Sequence, residues 1–315
     1  MLVNQSIIGK AIAIILVVFG HLGFIPNGGA IGVSIFLVLS GYGIAKSSEK
    51  NEFQFEEYWK KRIINVYIPF LVCSACWVLI LNLINSPIIK VNSQKISIVL
   101  GMIGFPNNPY DPTMWYISFI FMMYASFWCS FKFFERRIFK VLACLILCMI
   151  VGWGSIYIYS NSIGIYLYLF SFPIGVIIAL YDNILTFLCK WLSSYKLIVF
   201  MAVLFFLEYM SGRNVIYYEL LTVYSSFLII PILTQLTHFE KKFIIAIGKS
   251  SYAIYLVEGV IMRLMWGILG RDKLICNFLC GVAILNIGIF IHHIWSNTKV
   301  SFRKMFHLNE NVDGG

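Results

Sequence analysis

An all-α polytopic membrane helix bundle of about ten transmembrane helices is the fold class this sequence predicts, and three observations predict it. The first is composition. Of 315 residues, 60% are hydrophobic, 17% are aromatic and only 12% are charged, against roughly 25% charged in a soluble globular chain. The mean hydropathy is +0.85. The second is that the apolar residues fall into runs close to the roughly 20 residues a helix needs to cross a bilayer. The third is where the basic residues lie between those runs.

In order, the runs cover residues 7–25, 30–46, 63–84, 113–131, 140–158, 164–181, 197–212, 217–236, 250–268 and 274–294. The first has no basic leader and no small-residue cleavage site, so it reads as a span rather than a signal peptide. Between the second and third runs, residues 47–62 mix charges with aromatics. Glu56 and Glu57 stand four residues before Lys60 and Lys61, which favours a helix lying on the inner surface. Residues 85–112 form the longest outer segment. Pro106, Pro109 and Pro112 remove backbone donors and restrict their neighbours, so this stretch is expected to be irregular. No Gly/Ser/Pro linker separates a soluble module, so residues 1–315 read as one membrane domain with no fused soluble domain.

Lysines and arginines set the orientation. With the N-terminus inside, 18 basic residues fall on the inner side, 5 on the outer side, and Arg263 lies within a span, which accounts for all 24. By the positive-inside rule both termini are cytoplasmic and the chain is a multi-pass protein of the plasma (inner) membrane. The same asymmetry explains the net charge of +10 without a nucleic-acid partner. The eight cysteines are scattered. Cys73 and Cys76 form a C-x-x-C with no second pair or nearby His, so metal and redox readings are set aside. Gly32, Gly41 and Gly43 are expected to permit close helix packing.

Chemistry enters with Lys10 and His21, ionisable groups in the first apolar run, where a bilayer disfavours them. Eleven residues at 3.6 per turn return a side chain to within roughly 20° of the same direction, about 16 Å along the axis. A cation and an imidazole on one stripe suit a long anionic ligand whose reactive end reaches His21. The bland alternative weighs equally on these two residues alone: Lys10 snorkels to the headgroups and His21 is a helix-end residue. Trp115, Tyr116 and Trp59 read equally as aromatic-belt residues or as ligands. Asp111, Glu208 and Glu219 lie toward the outer side, where a carboxylate can bind acceptor hydroxyls, although an ordinary loop position is the favoured reading of each. Glu258 falls near mid-membrane and needs a partner from another helix or a wet cavity.

Five motifs occur in a recognisable order. Lys10-x10-His21 is followed by Gly32-Val33-Ser34-Ile35-Phe36-Leu37-Val38-Leu39-Ser40-Gly41-Tyr42. Next come Tyr58 through Arg62 with Ile63-Ile64-Asn65-Val66-Tyr67-Ile68-Pro69-Phe70, then Met114-Trp115-Tyr116-Ile117-Ser118, then Gly248 through Glu258. The order and spacing resemble the acyltransferase-3 family of integral-membrane O-acyltransferases, from residue 7 to about 265. The resemblance implies transfer of an acyl group, usually acetyl, from cytoplasmic acyl-CoA to a hydroxyl of a glycan or other acceptor at the outer face. It implies that His21 is catalytic and that Lys10 and Arg62 contact the donor. Four departures stand out: Lys10 replaces an Arg, Asn65 replaces the second Arg of an Arg-x-x-Arg motif, Glu258 stands where a His is common, and Ser34 stands where many members have Asp.

The residues by themselves agree with that implication. A histidine suits proton removal from an attacking hydroxyl near neutral pH. Lys10, Lys61, Arg62 and Asn65 are the candidate donor-binding residues on the inner side. Lysine holds a phosphate as a point charge without the bidentate fork, and Asn65 offers only neutral hydrogen bonds. His21 and Glu258 are the candidate catalytic pair, and Trp115, Tyr116 and Asp111 the candidate acceptor-binding residues. The expected function is O-acetylation of a cell-surface polysaccharide or its lipid-linked precursor. Acetyl-CoA is then a donor substrate and no cofactor is permanently bound. The competing reading is a glycan exporter or flippase with His21 and Glu258 lining its path.

Overall fold

The computed structural model describes residues 3–50, 55–84, 95–104, 108, 110–158, 168–191, 199, 202–203, 206–207, 209–210, 215–235, 241–269 and 273–305. Among these residues the chain is helical and contains no strand. The helices are α1 (Val3–His21), α2 (Gly28–Lys50), α3 (Phe55–Arg62), α4 (Ile68–Leu83), α5 (Lys95–Met102) and α6 (Trp115–Phe133). They continue as α7 (Arg137–Ile158), α8 (Ser171–Leu180), α9 (Asp182–Trp191), α10 (Val215–Gln235), α11 (Lys242–Leu269) and α12 (Leu274–Met305). Eight helical stretches among the described residues are long and apolar enough to cross a membrane, and one bent pair brings the total to as many as nine.

Eight of the ten expected spans therefore coincide with described helices. The sixth differs. Its apolar run ends as the ten-residue α8 and turns through 100° into α9. The break falls at Tyr181, whose φ and ψ of −122° and 83° leave the helical region. Asp182 then opens the polar face of α9 and is held by Lys46 Nζ at 2.9 Å. Of the expected span at 197–212, residues 199, 202–203, 206–207 and 209–210 are described and helical, and Glu208 lies outside the described residues.

Small residues set the packing. α1 runs between α2 and α11, and α2 also contacts α8 and α10. A Cβ on Gly20 would stand 2.5 Å from Gly29 N, one on Gly28 2.5 Å from Leu16 O, and one on Gly32 2.5 Å from Ala13 O. These glycines let α1 and α2 approach at backbone distance, the usual device where lipid tails remove the hydrophobic drive between helices. Gly41 lies against the Phe172 carbonyl and Gly175 against the Val38 carbonyl, which joins α2 to α8 in the same way. Gly43 faces open space, so it does not serve the packing role expected of it. The rim is apolar: Leu79, Leu83, Ile150, Trp153, Phe278 and Phe290 on α4, α7 and α12 are all exposed. A surface of this kind is satisfied in hydrocarbon.

The segment before α6 is more ordered than its prolines suggest. Residues 95–102 form α5. Asn108 Oδ1 accepts from Tyr110 N and Asp111 N, each at 3.1 Å, and its amide donates to Gly101 O at 3.2 Å. This turn folds Tyr110 and Asp111 into the bundle, with 1% and 0% of their surfaces exposed.

Gly175→Val is expected to destabilise the protein by about 1–3 kcal/mol through overpacking against the Val38 carbonyl. Gly43→Val, facing open space, is expected to be far milder. Thermal unfolding in detergent compares the two, and equal melting temperatures would refute the backbone-contact account of α2 and α8.

Candidate active site

His21 owes its position to the way α1 ends. Gly23 adopts φ of +82°, a left-handed conformation that glycine enters freely. Phe24 N then donates to Phe19 O at 2.9 Å and Gly23 N to Gly20 O at 3.1 Å. This is a Schellman C-cap with His21 in the last helical position. A helix C-terminus carries partial negative charge and so favours a cation formed there. The carbonyl after His21 is also held, because Asn277 Nδ2 donates to Leu22 O at 3.2 Å while Trp266 Nε1 donates to Asn277 Oδ1 at 2.9 Å. The end of α1 is thereby tied to α11 and α12.

Glu258 arrives from α11. Its Oε1 lies 2.7 Å from His21 Nδ1, across 237 residues of sequence. Glu258 is fully buried, whereas the His21 side chain is 38% exposed. The carboxylate therefore faces Nδ1 from the protein side, while the imidazole keeps accessible surface. A Cβ on Gly29 would lie 3.3 Å from His21 Nε2. Only a residue without a side chain leaves the approach to it open.

Asp111 lies beside this pair. Its Oδ1 accepts from Thr113 N at 3.0 Å and from Thr113 Oγ1 at 2.6 Å, which starts the turn leading into α6. The carboxylate rests on Gly259, the residue after Glu258, where any Cβ would collide with it. Its burial pushes the Asp111 carboxyl up to about 6. With no accessible surface, Asp111 does not meet an acceptor directly, contrary to the expected role in acceptor binding.

Lys10 and His21 are exposed, and Tyr116, Tyr252 and Tyr255 are half-buried. The tyrosines form a connected wall: Tyr116 and Tyr255 have ring centroids 5.7 Å apart, and Tyr252 and Tyr255 6.3 Å. Tyr255 Oη donates to Thr113 O and Tyr252 Oη to Val66 O, both at 2.7 Å. Trp115 turns the other way and stacks on Tyr168 at 5.6 Å. Sequence reasoning placed Tyr116 among the candidates but missed Tyr252, Tyr255 and the contact of Asp111 with Gly259. The glycine directly after an intramembrane glutamate was the available signal.

Residues 63–67 form a π-helical turn, with Ile68 N bonded to Ile63 O, and Val66 O in that turn accepts from Tyr252 Oη. Pro69 lacks the N–H that would bond Asn65 O, and its ring crowds that carbonyl, so a wider turn relieves the strain. Arg62 precedes the turn and bonds Tyr58 O at 3.0 Å. Its guanidinium sits 4.0 Å from the Tyr58 ring centroid and 5.7 Å from that of Tyr124. Lys61 pairs with Glu57 at 3.7 Å, and Asn65 is exposed. Arg62 thus points to the aromatic interior while Lys61 points to its own helix. Among the described residues, no cluster of His, Cys, Asp or Glu could hold a metal ion.

The described residues form an all-helical membrane bundle with an imidazole–carboxylate pair between α1 and α11. The chain belongs to the acyltransferase-3 family, whose family model, described as an acyltransferase domain, matches residues 5–294. No curated protein and no solved structure matches the chain.

Gly29→Ala is expected to reduce acyl transfer about ten-fold or more by crowding Nε2, since small misplacements at a reacting group are costly. Melting temperature should change little. Normal turnover in this variant would show that Nε2 is not approached from the Gly29 side.

Proposed function

We propose that this acyltransferase moves an acetyl or other acyl group from cytoplasmic acyl-CoA to a hydroxyl of a cell-surface polysaccharide or its lipid-linked precursor. The protein sits in the plasma membrane with both termini cytoplasmic, the orientation favoured by its 18 inner basic residues. The observation that carries the reading is the 2.7 Å contact between His21 Nδ1 and Glu258 Oε1. A carboxylate there accepts the Nδ1 proton, fixes the tautomer and leaves Nε2 as the base.

The chemistry then follows. The acceptor oxygen attacks the thioester carbonyl as Nε2 takes its proton. The tetrahedral intermediate collapses, the carbon–sulfur bond breaks, and the CoA thiolate leaves with the proton from Nε2. The imidazolium that exists between these steps is matched by Glu258 and by the C-terminal end of α1. Lys10, about three turns inward on the same helix, is suited to a CoA phosphate as a point charge. Arg62 is suited to a second contact. The tyrosine wall offers apolar surface and hydroxyls to the pantetheine arm.

His21→Ala is expected to lower acyl transfer by about 10²-fold or more while the protein remains inserted, and Glu258→Gln to lower it by a smaller factor. Proton NMR of the envelope glycan from cells with the wild type, each variant or no copy reads the acetyl signal. Acetylation that survives His21→Ala removes His21 as the base. Loss of exported polymer with unchanged acetyl per sugar would favour the exporter reading.

Lys10→Ala and Arg62→Ala are each expected to weaken acyl-CoA binding about ten-fold, with Lys10→Arg tolerated. Binding to detergent-solubilised protein at rising salt should fall more steeply for the wild type than for the alanine variants. Unchanged affinity in both alanine variants would move the donor site elsewhere.

A further inference from the structure

The four oxygens of Glu258 and Asp111 are used unevenly. Glu258 Oε1 is committed to His21 and Asp111 Oδ1 to Thr113. Glu258 Oε2 and Asp111 Oδ2 are fully buried with no hydrogen-bond partner among the described residues. Both carboxyls are completely inaccessible, and Asp111 lies on the backbone of Gly259, immediately after Glu258. Burying one carboxyl oxygen without a partner is costly, and two side by side are costlier.

The turn before α6 does not explain the charge. Capping requires only one acceptor oxygen, which asparagine or serine supplies equally well and without a buried acid. What the acid adds is a second negative group beside the His21–Glu258 pair. We propose that Asp111 is a positioning residue for acyl transfer: with Glu258 it forms a two-carboxylate pocket that steadies the imidazolium created on His21 when Nε2 takes the acceptor proton. Asp111 itself neither gains nor loses a proton in the step. The proton passes from the acceptor hydroxyl to Nε2 and on to the departing thiolate. The inference rests on the acyl-transfer reading above.

The groups facing Asp111 are consistent with this role. His21 comes from α1, Cys73 from α4, and Tyr255, Glu258 and Arg263 from α11, with Tyr110 adjacent in the same loop. Arg263 Nη1 donates to Tyr110 O at 3.0 Å, one residue from Asp111. Its positive charge offsets part of the cost of an ionised Asp111. The carboxyl titrates at about 6, so the second negative charge is present at neutral pH and lost in acid.

The test uses the full chain in membranes, with radiolabelled acetyl-CoA as donor and the host envelope glycan as acceptor. Rates are expressed per folded molecule from size-exclusion profiles. Asp111→Asn and Asp111→Ser keep the cap acceptor and remove the charge. Each is expected to lower kcat about ten-fold above about pH 7, with KM for acetyl-CoA within about two-fold. The ratio of wild-type to variant kcat should shrink toward one near about pH 5, where the wild-type carboxyl is protonated. A ratio that stays constant with pH, or a change confined to KM, overturns the inference. So does failure of both variants to accumulate folded, which would make Asp111 a structural cap. His21→Ala runs alongside. If the wild type outpaces it but matches Asp111→Asn, this inference alone fails. If the wild type shows no transfer at all, the acyl-transfer reading fails with it.

Discussion

The 2.7 Å contact between His21 and Glu258 constrains the rest of the bundle. A fully buried carboxylate is tolerated only with a partner, and the partner here is on another helix. α1 and α11 must therefore be held in one register along their length. At one end Gly248 sits on the Ile7 carbonyl, where any side chain would collide. Between the ends, Ala11, Ile14, Val18 and Leu22 share a core cluster with Ile247, Ile254, Val257 and Ile261. Gly248 meets Ile7 and Glu258 meets His21, so α1 and α11 run parallel. At the far end Asn277 and Trp266 hold the carbonyl that follows His21. These contacts hold one helix against the other and keep the carboxylate on His21, its hydrogen-bond partner among the described residues.

A second constraint lies in the π turn at 63–67, just before Pro69, where Val66 O accepts from Tyr252 Oη. That hydroxyl ties the α3–α4 rod to α11, the helix that carries Glu258. The turn thus lies between the Arg62 guanidinium and the contact that holds Tyr252. A regular α-helix there would rotate everything after Arg62 relative to everything before it.

Parts of this arrangement were legible in the sequence because they rest on periodicity or charge. Eleven residues between Lys10 and His21 place both on one stripe of any straight helix, and α1 is one helix. Glu258 at mid-membrane demanded a partner from elsewhere, and apolar runs of about 20 residues located eight spans. Other parts were not legible. Hydropathy ended the sixth run at residue 181, where the helix does break, but it counts apolar residues and cannot register the 100° turn into α9. Three prolines signal irregular backbone but not whether it is exposed. The burial of Asp111 depends on an amide from Asn108 and on the absence of a Cβ at Gly259, both contacts made only after folding.

The departures from the family pattern also gain a physical reading. A histidine at the position of Glu258, as the resemblance leads one to expect, would present a neutral ring or a second cation to His21. Glutamate instead presents a carboxyl, and its Oε1 lies 2.7 Å from His21 Nδ1. Ser34 moves in the opposite direction. Where many members have Asp, its hydroxyl is satisfied by Ala30 O of its own helix at 2.9 Å, and no charge is buried on α2 at that point. One carboxylate is absent from α2 and one is present on α11, so the two substitutions offset each other in formal charge. The cost of a buried acid falls where an imidazole can share it, which is the condition under which a bilayer-embedded carboxylate persists.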